Sequence, residues 1–152
     1  MADAENQLRD FIAKFEPRHQ VLIRAARRAL RERLPGAWEL VYDNYNFFVI
    51  GYSPTTRPSD MVFSLAAAAS GLNLFFAQGA VLADPEGVLQ GEGKQVRFIR
   101  LPSVDVLARP DVKALMAAAL RRAKPFDPAS GGLVIRSISA KQRPRRKATA
   151  AA

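Results

Sequence analysis

The chain contains no cysteine among its 152 residues. This absence excludes disulfide bonds, thiolate nucleophiles, iron–sulfur ligation and the usual cysteine-ligated zinc sites. Histidine is almost absent as well, because His19 is the single example. A metal site built from several histidines is therefore excluded, and any catalytic arrangement that needs an imidazole must use His19.

Long apolar runs are also missing. The longest weakly polar stretch, residues 61–69, is far shorter than the roughly 18 residues that a membrane span requires. The first six residues are acidic and lack the basic-then-apolar order of a secretion signal. We therefore expect a cytoplasmic protein that does not enter a membrane.

The net charge of +9 is distributed unevenly along the chain. Residues 1–140 carry 18 basic and 14 acidic side chains, so this part of the chain is only mildly basic. The last twelve residues contain no acid and five bases: Lys141, Arg143, Arg145, Arg146 and Lys147. Because this end lacks core-forming residues, we expect residues 140–152 to form a disordered basic tail.

Apolar residues at three- and four-residue steps predict helices over residues 5–15, 17–34 and 111–123. Extended, β-rich segments between them predict strands over residues 38–43, 45–52, 61–68, 72–77 and 96–101. In the first of these strands, Trp38, Leu40 and Tyr42 alternate with Glu39, Val41 and Asp43. Residues 131–136 fit either a loosely attached strand or an extension that packs on the domain.

This element order predicts a single α+β domain, with a mostly antiparallel sheet of about five strands. Two N-terminal helices and one C-terminal helix are expected to pack on the sheet. We assign residues 1–124 to this domain, residues 125–139 to a C-terminal extension and residues 140–152 to the basic tail.

A two-glycine turn, Gly91-Glu92-Gly93-Lys94, leads into the last of the predicted strands. A Walker-type phosphate loop would need glycine at the position of Val88 and Ser or Thr at that of Gln95. It would also lead into a helix, so a nucleotide-hydrolase loop is excluded. Two interpretations stay open: both glycines supply positive φ angles to an edge strand, or the turn forms the basic rim of a ligand site.

Several short motifs together resemble the YdhG-like domain family, a family of unknown function. They are residues 38–46, residues 57–60 and 62–64, residues 73–76 with Gly79, Asp84-Pro85, and the glycine turn with Arg97, Ile99, Arg100 and Leu101. The resemblance covers roughly residues 8–124 and implies a compact α+β domain without an established catalytic set.

Some members of the wider family are described as frataxin-like iron chaperones, a role that requires clustered carboxylates. Here the acids of the helical region (Asp3, Glu5, Asp10, Glu16 and Glu32) lie among eight arginines and lysines. We therefore do not expect an iron chaperone.

The leading functional expectation is a non-enzymatic module that binds a small anionic ligand or a protein partner near the glycine turn. The ligand-binding residues predicted for it are Lys94, Arg97, Arg100, Tyr42, Asp43 and Tyr45. No catalytic residue, metal or cofactor is expected. His19 is expected to be a surface or capping residue.

The alternative is nonspecific nucleic-acid binding, because basic side chains neutralise phosphates. It would use an arginine-rich face of the second helix together with the tail: Arg24, Arg27, Arg28, Arg31, Arg143, Arg145, Arg146 and Lys147. An enzyme that uses Asp43 and Asp60 is a distant third hypothesis.

Overall fold

The computed structural model describes residues 3–148 of the chain. Its helices are α1 (Ala4–Ala13), α2 (Pro17–Arg33) and α3 (Pro110–Arg122). Its strands are β1 (Trp38–Asp43), β2 (Phe48–Ser53), β3 (Phe63–Ala68), β4 (Gly71–Phe76), β5 (Arg97–Leu101) and β6 (Gly132–Ile138). The α+β class and the three helices are as predicted from the sequence.

The six strands form one sheet in the order β5-β4-β3-β2-β1-β6. All neighbours are antiparallel except β6, which runs parallel to β1. β6 is the strand that the sequence left undecided, because its pairing partner lies about ninety residues earlier in the chain.

One hydrophobic core joins the helices to one face of the sheet. α1 contributes Leu8, Phe11 and Ile12, and the ring of Phe11 lies 6.1 Å from that of Phe48. α2 begins at a proline, which suits the first turn of a helix, and buries His19, Ile23, Ala26 and Leu30 at helical spacing. α3 adds Val112, Leu115 and Met116.

The face of β1 that meets the helices is the one that carries its carboxylates. Glu39, Val41 and Asp43 are opposite the core residues Tyr52, Ile50 and Phe48 of β2. Both acids are buried, with exposures of 4% for Glu39 and 0% for Asp43. A buried charge is expensive unless it is paired, so this strand requires cations from the elements that cover it.

The end of the chain is the main departure from the sequence prediction. Residues 139–148, which we call the C-terminal strap, pack against the β1–β2 hairpin and α1. Ser139 N–H donates to Asp43 O at 2.8 Å, and Arg143 N–H donates to Tyr45 O at 2.8 Å. Disorder was predicted from composition alone, which does not show that Arg145 has a buried partner. The rest of the predicted tail, residues 149–152, lies outside the described residues.

None of the helices in residues 3–148 is long and apolar enough to cross a membrane.

Candidate anion-binding site

Four parts of the chain meet in a cleft of about 320 Å³, which we call the basic cleft. α2 supplies Arg18, His19 and Leu22, and the β3–β4 turn supplies Ser70, Gly71 and Leu72. β5 and the residue after it supply Arg100, Leu101 and Pro102, and the strap supplies Lys147. Its polar lining is dominated by basic side chains, so its chemistry suits a negatively charged ligand.

Local backbone geometry holds Arg100 at the edge of this cleft. The guanidinium of Arg100 donates to the carbonyl oxygen of Ser70 in the β3–β4 turn. The next residue, Gly71, has a φ of +134°, and a Cβ at this position would lie 2.8 Å from Arg100 Nη2. The positive φ favours glycine here, and a side chain at this position would also displace the arginine from its contact with the turn.

The positive charge of the cleft is only partly neutralised. Arg18 Nε lies 2.6 Å from Glu16 Oε1, and this hydrogen bond is the main reason that the pKa of Glu16 is lowered. Arg100 makes its hydrogen bond to a neutral carbonyl, and Lys147 stands at the end of the strap. Three cations therefore share one cleft in which the nearby carboxylate is already engaged by Arg18.

His19 is buried in the wall of the cleft, with an exposure of 8%. Its Nε2 lies 3.7 Å from Glu16 Oε1, and its buried Nδ1 has no hydrogen-bond partner among the described residues. Burial lowers the pKa of His19, and the charges of Arg18, Lys147 and Arg100 lower it further, whereas Glu16 raises it. The imidazole is therefore neutral at pH 7 and surrounded by positive charge.

Lys147 reaches the cleft because the strap is fixed by a buried ion pair. Arg145 Nη2 donates to Asp43 Oδ1 at 2.9 Å and to Asn44 O at 2.6 Å, and the Arg145 side chain is only 3% exposed. Arg145 also lies over the ring of Phe15, at 6.0 Å. One residue further on, Arg146 Nε donates to Lys14 O at 3.1 Å. These contacts place the strap against the end of α1, close to the start of α2.

Asp43 has a second cationic partner. Lys14 Nζ lies 2.7 Å from Asp43 Oδ2, and the Lys14 side chain is 42% exposed. Burial raises the pKa of Asp43, but hydrogen bonds led by that of Lys14 outweigh the burial, so its pKa is lowered. Asp43 is thus a structural anion at neutral pH, and the strap binds to it.

The glycine turn has a structural role in this geometry. Gln90 and Phe98 exchange backbone hydrogen bonds at 2.8 and 3.0 Å, and so close the loop of residues 91–97. The guanidinium of Arg97 donates to the carbonyl oxygens of Gly93 and Val96 within this loop. Gly91 has the predicted positive φ, at +114°, but Gly93 does not, so the expectation that both glycines need it was wrong.

The six ligand-binding residues predicted from the sequence do not form one site. Lys94 is exposed outside the basic cleft, and Arg97 is engaged within its own loop. Tyr42, Asp43 and Tyr45 belong to β1 and the turn after it, which lies four strand spacings from β5, or about 19 Å. Arg100 alone of the six lines the cleft.

The predicted arginine face of α2 is divided by burial. Arg27 makes bonds of 2.9 Å to each oxygen of Glu39, one of which also accepts from Tyr52 Oη at 2.8 Å. Arg27 also bonds to Glu5 at 2.7 Å and is only 14% exposed, so it is a structural residue and not a surface one. The exposed residues Arg24, Arg28 and Arg31 line a groove of about 490 Å³ together with Arg27 and Glu32.

Asp43 and Asp60 do not come together. Asp43 is paired with Phe48 at one end of β2, whereas Asp60 follows the other end of this six-residue strand. The two therefore lie towards opposite ends of the β1–β2 hairpin. Asp60 is bonded to Thr55 Oγ1 at 2.8 Å and to Lys124 at 3.2 Å. Within residues 3–148, no group of three or more histidine or carboxylate side chains is placed to hold a metal ion.

The basic cleft was missed from the sequence for two reasons. His19 was expected at the surface, although its spacing from Ile23, Ala26 and Leu30 was a usable signal that it lies on the buried stripe of α2. Lys147 had no such signal, because its position depends on an ion pair between residues that are 102 positions apart.

Comparison with known proteins adds no family to this description: no family profile, no curated protein and no solved structure matches the chain.

Proposed function

We propose that the protein is a non-enzymatic binding module whose basic cleft holds the phosphate group of a small anionic ligand. The observation that carries this proposal is the convergence of Arg18, Arg100 and Lys147 on one cleft, beside a buried histidine. These cations come from three separate parts of the chain, and the fold holds Arg100 by a hydrogen bond to the backbone of the β3–β4 turn.

The physical chemistry of the cleft favours phosphate. Hydrogen bonds between a cationic donor and an anionic acceptor contribute about 1.5–3 kcal/mol each, more than neutral hydrogen bonds do. The cleft adjoins the first turn of α2, where the positive end of the helix dipole also attracts anions. Its volume of about 320 Å³ is at the lower end of the range for small-molecule sites, which suits a phosphorylated metabolite better than a protein surface.

Calorimetric titration with inorganic pyrophosphate tests this proposal, with the full chain as the protein. Arg18→Gln and Lys147→Gln should each weaken binding by about tenfold or more, the effect of losing about 1.5 kcal/mol. Lys94→Gln is the matched control, because it removes the same charge from an exposed position outside the cleft. The proposal is contradicted if pyrophosphate does not bind. It is also contradicted if Lys94→Gln loses as much affinity as the cleft variants, since pyrophosphate would then be attracted only by the general positive charge of the protein.

The second candidate function is nonspecific nucleic-acid binding. It is favoured by the groove between Arg24, Arg28 and Arg31 on α2, since backbone phosphates need such charges. The affinity of the full chain for duplex DNA should then fall steeply with salt, and replacement of all three arginines with glutamine should reduce the salt slope by about 3. Truncation at Ser139 is a poor test, because it removes the Arg145 that neutralises Asp43.

We also propose that the protein is a member of the YdhG-like family and that it is cytoplasmic. The motifs at residues 38–46 and 91–101 support the family membership.

A further inference from the structure

We propose that His19 selects the charge of the ligand: a doubly charged anion in the basic cleft binds together with a proton on His19. This inference rests on the proposed anion site and assigns a specificity-determining role to the single histidine of the chain. It predicts tighter binding of dianions as the pH falls from about 8 to about 6.

The geometry supplies the reason. His19 lies in the wall of the cleft at 8% exposure, with a buried Nδ1 that has no hydrogen-bond partner among the described residues. A polar atom that is buried without a partner is costly, and a nearby ion is one physical reason for a fold to retain such an atom.

The charges that face His19 come from three elements. Arg18 and Glu16 lie at the start of α2, Arg100 lies on β5, and Lys147 lies on the strap. Three of these four groups repel a proton on the imidazole, and the carboxylate of Glu16 is shared with Arg18. Without a ligand, protonation of His19 would therefore add a fourth positive charge to an already positive cleft.

A bound dianion reverses this balance. Its two negative charges attract a proton on His19 and offset the repulsion from the three cations. Linkage is reciprocal: if the anion raises the pKa of His19 by one unit, the protonated protein binds the anion about tenfold more tightly than the neutral protein does. A monoanion compensates less charge and should show a smaller effect.

The test uses inorganic sulfate, which stays a dianion between about pH 5 and pH 8, so that only the protein titrates. A single histidine gives a single imidazole C2–H resonance, and NMR can follow it against pH without an assignment problem. Saturating sulfate should raise the pKa of His19 by about one unit relative to chloride at equal ionic strength. The Kd for sulfate should fall between about pH 8 and about pH 5.5, towards a limit of about tenfold that is reached below the pKa of His19 in the free protein.

Two variants sharpen the experiment. Lys147→Gln should raise the pKa of His19 in the absence of sulfate, because it removes one of the repelling charges. His19→Gln should abolish the pH dependence of the sulfate Kd. Any pH dependence that this variant retains would come from the N-terminal amine.

The outcomes separate the two proposals. If sulfate binds in the cleft while the pKa of His19 and the Kd stay constant with pH, His19 has no such role and the anion site stands. If neither sulfate nor pyrophosphate binds at any pH, both proposals fail together.

Discussion

The buried pair of Asp43 and Arg145 predicts an asymmetry between two single substitutions. Asp43→Asn keeps the shape of the side chain but removes the negative charge that faces Arg145, whose side chain is 3% exposed and whose other acceptor, Asn44 O, is neutral. Removal of one partner of a buried ion pair costs about 3–5 kcal/mol. Because the strap can detach and hydrate Arg145, the loss should lie at the lower end of this range, about 3 kcal/mol.

Arg145→Met should be milder, at about 1–2 kcal/mol. Asp43 keeps Lys14 as a partner at 2.7 Å, so its charge stays compensated. The substitution also removes two buried guanidinium nitrogens, Nε and Nη1, that have no hydrogen-bond partner among the described residues. The double variant Asp43→Asn/Arg145→Met should therefore be more stable than Asp43→Asn alone.

Urea denaturation of the three variants measures these differences. A loss of about 3 kcal/mol corresponds to a fall in Tm of about 6–12 °C for a chain of this length. Hydrogen exchange of the Ser139 and Arg143 amides, which donate to the β1–β2 hairpin, should accelerate in Asp43→Asn. Equal losses in the two single variants, or a larger loss in Arg145→Met, would refute the assignment of Asp43 as the anchor of the strap.

Three further predictions concern the rest of the fold. Gly91→Ala should destabilise the protein by about 1–2 kcal/mol, because the φ of +114° at Gly91 strains an L residue. Gly93→Ala should be near neutral, and equal effects of the two substitutions in urea denaturation would contradict this account of the turn. Tyr52→Phe should cost about 1–2 kcal/mol, because it removes the hydroxyl that donates to buried Glu39, and an unchanged free energy of unfolding would show that this bond is dispensable. The free energy of unfolding should fall as the pH drops below about 4. The pKa of Asp43 is lower in the folded protein than in the unfolded chain, so the charged carboxylate stabilises the fold above the pKa of the unfolded chain and this stabilisation is lost in acid. A free energy of unfolding that stays constant between about pH 5 and pH 2 would contradict the charged state of Asp43.

The repetitive parts of the fold were predictable from the sequence because their signals are local. The spacing of Leu8, Phe11 and Ile12 in α1 and the proline at the start of α2 depend only on neighbouring residues. In β1, however, alternation alone did not show which face meets the helices. Leu40 and Val41 are both fully buried although they point to opposite faces, so hydrophobicity does not distinguish the two sides.

The site was harder to predict than the fold because it depends on long-range pairing. Asp43 and Arg145 are 102 positions apart, and Glu39 and Arg27 are on different elements. In each case a buried carboxylate on β1 selects the arginine that it pairs with. The arginines that looked equivalent in the sequence therefore divide into partners of buried carboxylates, such as the half-buried Arg27 and the buried Arg145, and exposed ones, such as Arg24.

The central claim is that the basic cleft binds an anion, and mapping of amide chemical shifts tests it most directly. A ¹⁵N-labelled full chain is titrated with inorganic pyrophosphate at constant ionic strength. The largest shifts should occur at Arg18, His19, Gly71, Arg100 and Lys147, with small shifts at Lys94. Shifts centred on residues 24–31, shifts spread evenly over the surface, or no shifts at all would contradict the claim.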